Sequence, residues 1–186
     1  RVLICDDEAG MRSGVARALR DYTFTVEDLG ERVSFQVDPA ESGEAALELI
    51  KVQRPDILLL DHKLPGISGL EVLERVKRSD GMVTVMITAY ASLETAVTAI
   101  KQGAYDFLAK PFTPADLKST VRKAAESLIL ARQARKLAQE RRQVRFEFIR
   151  VVAHELKSPL AAIEGYLQII KNHSAGDDTQ ASAQMG

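Results

Sequence analysis

One cysteine, Cys5, stands in 186 residues, so no intramolecular disulfide framework can form. A lone cysteine fits a reducing compartment, and a cytoplasmic location is expected. Long hydrophobic runs are missing. No stretch approaches the ~18 apolar residues of a membrane-crossing helix. The longest, such as Ile57–Leu60, are strand-sized. An excess of one charge is missing as well. The net charge is −1, so the whole chain lacks the basic balance of a nucleic-acid binder. The chain opens without Met, directly in the apolar run Arg1-Val2-Leu3-Ile4, and no signal peptide is expected within it. It closes on the polar stretch Asp177–Ser182, and both ends read as cuts in a longer protein. What is present is ordinary globular material, 46% hydrophobic and 27% charged, enough for a core in one domain plus an extension.

Charge divides the chain. Residues 1–115 carry 13 Lys+Arg and 18 Asp+Glu, a balance of −5, and residues 116–186 carry 12 and 8, a balance of +4. The basic excess lies in Arg132–Arg150. Glycine and proline stop at Pro114 and resume only at Pro159. The intervening Ala, Leu, Arg, Lys, Gln and Glu predict one long helix, with Thr113 as its N-cap and Pro114 in its first turn.

Before Pro114, short apolar runs alternate with helical patterns. Strands are predicted at Val2–Cys5, Val33–Val37, Asp56–Leu60, Val83–Thr88 and Phe107–Ala109. Helices are predicted at Met11–Leu19, Glu44–Val52, Gly69–Arg78, Leu93–Gln102 and from Pro114. This is the pattern of an α/β fold, a five-stranded doubly wound parallel sheet, followed by a long α-helix or coiled coil. In such sheets the site lies beyond the carboxyl ends of the strands. There stand Asp6, Asp7 and Glu8, then Asp61, Thr88 and Lys110. Clustered carboxylates repel, and a hard divalent cation such as Mg²⁺ is their natural counter-charge. An Asp beside Mg²⁺ can accept a phosphoryl group, with Lys and hydroxyl groups stabilising its oxygens.

Leu3-Ile4-Cys5-Asp6-Asp7-Glu8, Asp61-His62-Lys63-Leu64-Pro65-Gly66-Ile67-Ser68-Gly69, Met86-Ile87-Thr88-Ala89-Tyr90 and Lys110-Pro111-Phe112 together resemble the receiver domain of two-component response regulators, over roughly residues 1–125. The resemblance implies that Asp61 is the phosphoacceptor. It implies that Asp6, Asp7, Asp61 and the backbone carbonyl of Lys63 hold Mg²⁺, and that Thr88 and Lys110 contact the phosphoryl group. Phe107 occupies the place of the switch aromatic, small Ala89 leaves the phosphoryl group space, and Lys110–Pro111 is expected to be cis. Taken singly, each residue has a plainer reading: Asp6-Asp7 a helix cap, Thr88 a strand residue, Lys110 a surface charge. Their coincidence at successive strand ends sets them apart. Cys5 is expected to be a buried strand residue, and His62 need not do chemistry. The connection Tyr22–Arg32 is longer than usual in the family. A small hairpin is expected there, at the end of the sheet opposite Asp61.

Further on, Ile149, Val152, Leu156, Leu160, Ile163, Leu167 and Ile170 form an apolar stripe at near-heptad spacing. His154 lies about 200° of helix rotation from both Val152 and Leu156, so it points away from the stripe, towards solvent. Phe148–Leu160, containing His154-Glu155-Leu156-Lys157-Ser158-Pro159-Leu160, resembles the H-box of sensor histidine kinases. That motif is the first helix of their dimerisation and phosphotransfer domain. The resemblance implies that His154 is phosphorylated, that Glu155 is its acid/base partner and that Ser158 serves phosphatase chemistry. Pro159 is expected to kink the helix, and Ser174–Gly186 to be a loop. His173 is taken as incidental.

The expected organisation is a receiver at 1–125, a helical coiled-coil linker at 126–148, and the first helix and loop of an incomplete phosphotransfer domain at 149–186. The linker stripe, Leu117, Val121, Ala124, Leu128, Ala131, Ala134, Leu137 and Val144, is imperfect and predicts a weak, adjustable coiled coil. Nucleotide-binding boxes are absent, so ATP is expected to act only through a domain outside this chain, and the chain alone is not expected to autophosphorylate. The expected partners are a second copy, through the long helix, and a cognate histidine kinase or response regulator. Phosphorylation of Asp61 would draw in Thr88, turn Phe107 inward and shift the helix carrying His154. A rival reading is a phosphorelay module exchanging phosphoryl groups between His154 and Asp61. A DNA-binding regulator is disfavoured, because the basic residues of 132–150 are spread around the helix. No nucleic acid and no membrane segment are expected.

Overall fold

The computed structural model describes residues 1–76, 81–89 and 93–183, with side chains described at 1–76, 81–89 and 97–167. The elements are β1 (Val2–Cys5), α1 (Ala9–Leu19), β2 (Thr23–Val26), β3 (Glu31–Ser34), β4 (Val37–Ala40), α2 (Gly43–Val52), β5 (Ile57–Asp61), α3 (Gly69–Val76), β6 (Val83–Thr88), α4 (Leu93–Lys101), β7 (Asp106–Ala109) and α5 (Pro114–Ala183). Lys77, Arg78 and Tyr90, which the sequence reading used, lie outside the described residues. The chain divides into two compact units, residues 1–133 and 134–186.

In the first unit, five strands form one parallel sheet in the order β4-β1-β5-β6-β7. Every residue of β1 and β5 is buried, as interior strands covered on both faces require. Alternation distributes the side chains between two cores. Ile4, Ile57, Leu59, Val85 and Ile87 face α1 and α5, meeting Val15, Leu19, Leu117 and Val121. Leu3, Cys5, Leu58, Leu60 and Met86 face the other side, meeting Ala46, Val72, Leu73 and Ala99. Each large side chain so buried contributes about 1.5–3 kcal/mol.

Helix starts are written locally. Ser68 and Glu71 form a reciprocal capping box before α3, the Ser68 N–H donating to Glu71 Oε2 at 2.8 Å and the Glu71 N–H to Ser68 Oγ at 3.3 Å. Thr113 and Asp116 repeat it at α5, with Thr113 N–H to Asp116 Oδ2 at 2.9 Å and Asp116 N–H to Thr113 Oγ1 at 3.2 Å. Thr113 is thus the cap the sequence predicts.

The second strand of the sheet is not Val33–Val37. It is β4, paired with β1 from Val2↔Val37 to Cys5↔Ala40. Glu31–Ser34 instead pairs antiparallel with Thr23–Val26, making the expected hairpin. The sequence Val-Asp-Pro-Ala of β4 has poor strand propensity. It is tolerated because β4 is an edge strand, where the missing N–H of Pro39 costs no ladder bond. The hairpin connects the end of α1 to the beginning of β4, so it sits at the amino ends of the strands. Its Tyr22, Phe24 and Phe35 rings stack with centroids 5.7–6.2 Å apart. Lys118 and Arg122 of α5 lie over Tyr22 and Phe24, at 5.3 and 5.4 Å from the ring centroids.

The second unit is the remainder of α5. All its described side chains, 134–167, are exposed. Pro159 lies inside the helix, and the helix continues to Ala183 where a loop was expected from Ser174. Ala175, Ala181 and Ala183 favour helix, and the one glycine there, Gly176, costs only about 1 kcal/mol.

Candidate functional site

Parallel strands place their carboxyl ends on one rim, and the sequence puts an ionisable or hydroxyl residue at each. Asp6 follows β1, Asp61 ends β5, Thr88 ends β6 and Lys110 follows β7. Asp6 is fully buried, Asp61 and Thr88 nearly so, and Asp7 is exposed. One carboxylate oxygen from each of Asp6, Asp7 and Asp61 lies within 4.8 Å of the others. The Lys110 ammonium bridges two of them, donating to Asp6 Oδ2 and Asp61 Oδ2 at 2.8 Å each, and lies 3.6 Å from Glu8 Oε1. Burial alone would lower the lysine's pKa. The hydrogen bonds and charges of Asp6 and Asp61 outweigh it, and the ammonium is held above its usual range. For Asp6 burial prevails over Lys110, and its pKa is raised.

Backbone geometry holds the carboxylates in place. The Glu8 N–H donates to Asp6 Oδ1 at 2.9 Å, and the Lys63 N–H to Asp61 Oδ1 at 3.3 Å. Lys110–Pro111 is cis, and the Lys110 N–H donates to the Thr88 carbonyl at 2.8 Å. Gly69 is required by contact: a Cβ there would stand 2.0 Å from the Asp61 carbonyl oxygen. Phe107 of β7 is half-exposed and Cys5 is buried, its thiol pushed up to about 12 by burial first and by Asp6 and Asp61 next. His62 is half-buried, with no described partner for Nδ1.

Two residues escaped the sequence reading. Arg12, in the first turn of α1, donates from Nη1 to the carbonyls of Asp6 at 2.7 Å and Asp7 at 2.9 Å, fixing the acidic loop. Glu44, in the first turn of α2, accepts from the Ile67 N–H at 3.2 Å and so holds the loop that follows Asp61. The only signal was a charged side chain in the first turn of a helix, for Arg12 the one after β1 and for Glu44 the one after the edge strand β4.

The donor set fits a hard divalent cation. Three carboxylates converge with one lysine between them, all offering oxygen, and Arg12 spends its donors on carbonyls rather than on the carboxylates. In the second unit, His154, Glu155 and Ser158 are exposed, and His154 Nδ1 lies 3.7 Å from Glu155 Oε1. Among the described residues no helix is long and apolar enough to cross a membrane.

Residues 2–122 match the response regulator receiver domain, and residues 144–185 match the His Kinase A (phospho-acceptor) domain. The chain is 38% identical over 141 residues to the nitrogen assimilation regulatory protein NtrX of Azorhizobium caulinodans, covering 74% of this chain and 29% of that protein. It is 32% identical over 124 residues to sporulation initiation phosphotransferase F of Bacillus subtilis, covering 66% of this chain and 91% of that one. The crystal structure of the receiver domain of NtrX from Brucella abortus superposes with a TM-score of 0.56 at 33% identity, covering 68% of this chain and 98% of that domain. The chain thus spans under a third of the Azorhizobium regulator's length and nearly all of the Bacillus relative's. The acidic rim, the sheet order and the match over 2–122 lead to one conclusion: this is a two-component signalling chain that belongs to the response regulator receiver family, its receiver followed by a His Kinase A phospho-acceptor region.

Proposed function

We propose that Asp61 accepts a phosphoryl group and that the state of Asp61 regulates, through α5, a histidine kinase phosphorylated on His154. The observation that carries this reading is the convergence of Asp6, Asp7 and Asp61 with Lys110 bridging Asp6 and Asp61. An Asp61 oxygen attacks the phosphorus of a phosphodonor. A P–O bond to Asp61 forms, the bond to the donor's leaving group breaks, and that group departs with the electron pair. Asp6, Asp7, Asp61 and the Lys63 carbonyl would hold Mg²⁺, which neutralises phosphoryl charge when bound. Lys110 supplies a permanent positive charge to the phosphoryl oxygens, and its pinning between two carboxylates orients it in advance. Thr88, at the end of the neighbouring strand, supplies the hydroxyl that follows the phosphoryl group.

His154 is exposed, as a histidine that must meet a separate catalytic domain has to be. The apolar stripe from Ile149 to Leu167 is exposed along its whole length, which supports a second copy of the chain as its partner. ATP enters only through a domain outside this chain, and a cytoplasmic location follows from the same reading.

The test is intact mass after incubation with acetyl phosphate and Mg²⁺. One phosphoryl adduct is expected in the wild type and none in Asp61→Asn. An adduct that survives Asp61→Asn, or no adduct in a folded protein, rejects Asp61 as acceptor. An Asp61 adduct that moves to His154 within the isolated chain would favour the phosphorelay reading instead.

A further inference from the structure

Leu117, Val121, Ala124 and Leu128 form the stripe by which α5 joins the first unit, and each is buried. One turn past Leu128, on the same side of the helix, stands Arg132. Here the apolar contact is replaced by a polar one. Arg132 Nη2 donates to Asp56 Oδ1 at 2.6 Å and to the Gly81 carbonyl at 2.9 Å. Asp56 immediately precedes β5, and Gly81 lies two residues before β6. These are the strands whose far ends carry Asp61 and Thr88. Helix α5 is therefore attached, at its last turn in this unit, to the amino ends of the two strands that hold the phosphoacceptor and its neighbouring hydroxyl.

The attachment is built to be exchangeable. Both partners are partly exposed, with side-chain accessibilities of 51% for Arg132 and 38% for Asp56. Such a pair is screened by salt and only weakly favourable. Beside it lies a cavity of about 120 Å³, bordered by Phe35, Ile57, Ala125, Leu128 and Arg132. This cavity opens to solvent beside Arg132 and leaves the last turn room to shift. Further back, Lys118 and Arg122 rest on the ring stack of the hairpin, which steadies the preceding turns. The turn that carries Arg132 is thus held by polar contacts, past the last buried side chain of the stripe, Leu128.

We propose that Arg132 is a positioning residue that links the state of the Asp61 site to the helix beyond residue 133, by holding α5 to the amino ends of β5 and β6. The inference rests on phosphoryl acceptance at Asp61. A change at the carboxyl ends of β5 and β6 is carried along two short, fully hydrogen-bonded strands to Asp56 and Gly81. Arg132 reads it as a gain or loss of its two acceptors.

The experiment uses the full chain as wild type, Arg132→Gln and Arg132→Lys, with and without acetyl phosphate and Mg²⁺. Backbone hydrogen exchange is followed over residues 126–140, and the Asp61 adduct by intact mass. In the wild type, exchange over this stretch is expected to change on phosphorylation. In Arg132→Gln it is expected to be about fivefold faster at the outset and unresponsive, with adduct yield and melting temperature close to wild type. Arg132→Lys keeps the charge and restores part of the response, which a merely structural role would not do. An adduct in Arg132→Gln accompanied by the wild-type exchange response overturns the inference alone. Absence of the adduct from the wild type overturns the reading of the site, and the coupling with it.

Discussion

Leu117, Val121, Ala124 and Leu128 are between 0 and 7% exposed, while Leu156, Leu160, Ile163 and Leu167, on the same helix at the same spacing, are between 51 and 60% exposed. The two stretches are indistinguishable by periodicity. They differ in what lies opposite. The first faces a sheet whose interior strands are apolar on both sides, and the second is exposed at every described position. A stripe is thus a demand for a partner, and only the fold says whether the chain meets the demand itself.

The widest test of this contrast is truncation at matched positions. Leu117→Ala is expected to destabilise the receiver by about 2–5 kcal/mol, through lost burial and the cavity left behind. Leu160→Ala is expected to change receiver unfolding by no more than about 0.5 kcal/mol. Urea unfolding followed by circular dichroism of both variants checks it. Equal costs would mean that the stripe at 149–167 is as well buried in solution as the one at 117–128.

Next comes self-association. Leu156→Asp is expected to weaken dimerisation by tenfold or more, about 1.4 kcal/mol, because it places a charge where two copies would meet. Sedimentation equilibrium of the full chain measures it, and Asp61 adduct formation is expected to be unaffected. A variant that associates like the wild type would place the dimer contact elsewhere.

Much of this was legible in the residues. The acidic rim was, because Asp6, Asp61, Thr88 and Lys110 each follow an apolar run that can only be a strand. His154 is exposed as its rotation from the stripe predicts, but so is every described side chain of 134–167, so the rotation does not set it apart. The edge strand was not legible. Val37-Asp38-Pro39-Ala40 lacks any strand signature, and its place is set by pairing with β1 at an edge that forgives Pro39. The first compact unit runs to Gln133, because Leu128 and Arg132 still find partners in the body. Arg12 and Glu44 were invisible for a related reason: a charged residue in a helix's first turn looks like surface until the loop it holds is seen.

A smaller effect is expected at the start of α5, where the two stretches share one origin. Thr113→Ala removes the side-chain half of the capping box and should cost about 1 kcal/mol. That cost is expected in the receiver's unfolding transition, which the first turns of α5 join through Leu117, and not in the exchange rates of residues 149–167. Loss of protection along the whole helix would show that its two stretches melt as one.

The smallest effect separates the stretches by pH. In the receiver, burial raises the Cys5 thiol from 9.0 to about 12. An acid whose folded pKa is raised keeps its proton in the folded state after the unfolded chain has released it. Stability therefore falls as pH rises from the unfolded value of 9.0 towards the folded one near 12. One pH step above the unfolded value, near pH 10, the loss is about 1 kcal/mol. Lys110 acts in the same direction at higher pH. Its folded pKa is also raised, so its contribution is present below the ordinary lysine value of 10.5 and is lost as pH climbs through the folded one. The Lys110 contribution is common to wild type and Cys5→Ala and cancels between them. The difference in stability between pH 8 and pH 10 should therefore be about 1 kcal/mol smaller in Cys5→Ala, and the helix beyond residue 133, which holds no cysteine, should show no such change. Parallel pH profiles for the two proteins would mean that the Cys5 thiol ionises as freely in the folded receiver as in the unfolded chain, and so that this core admits water.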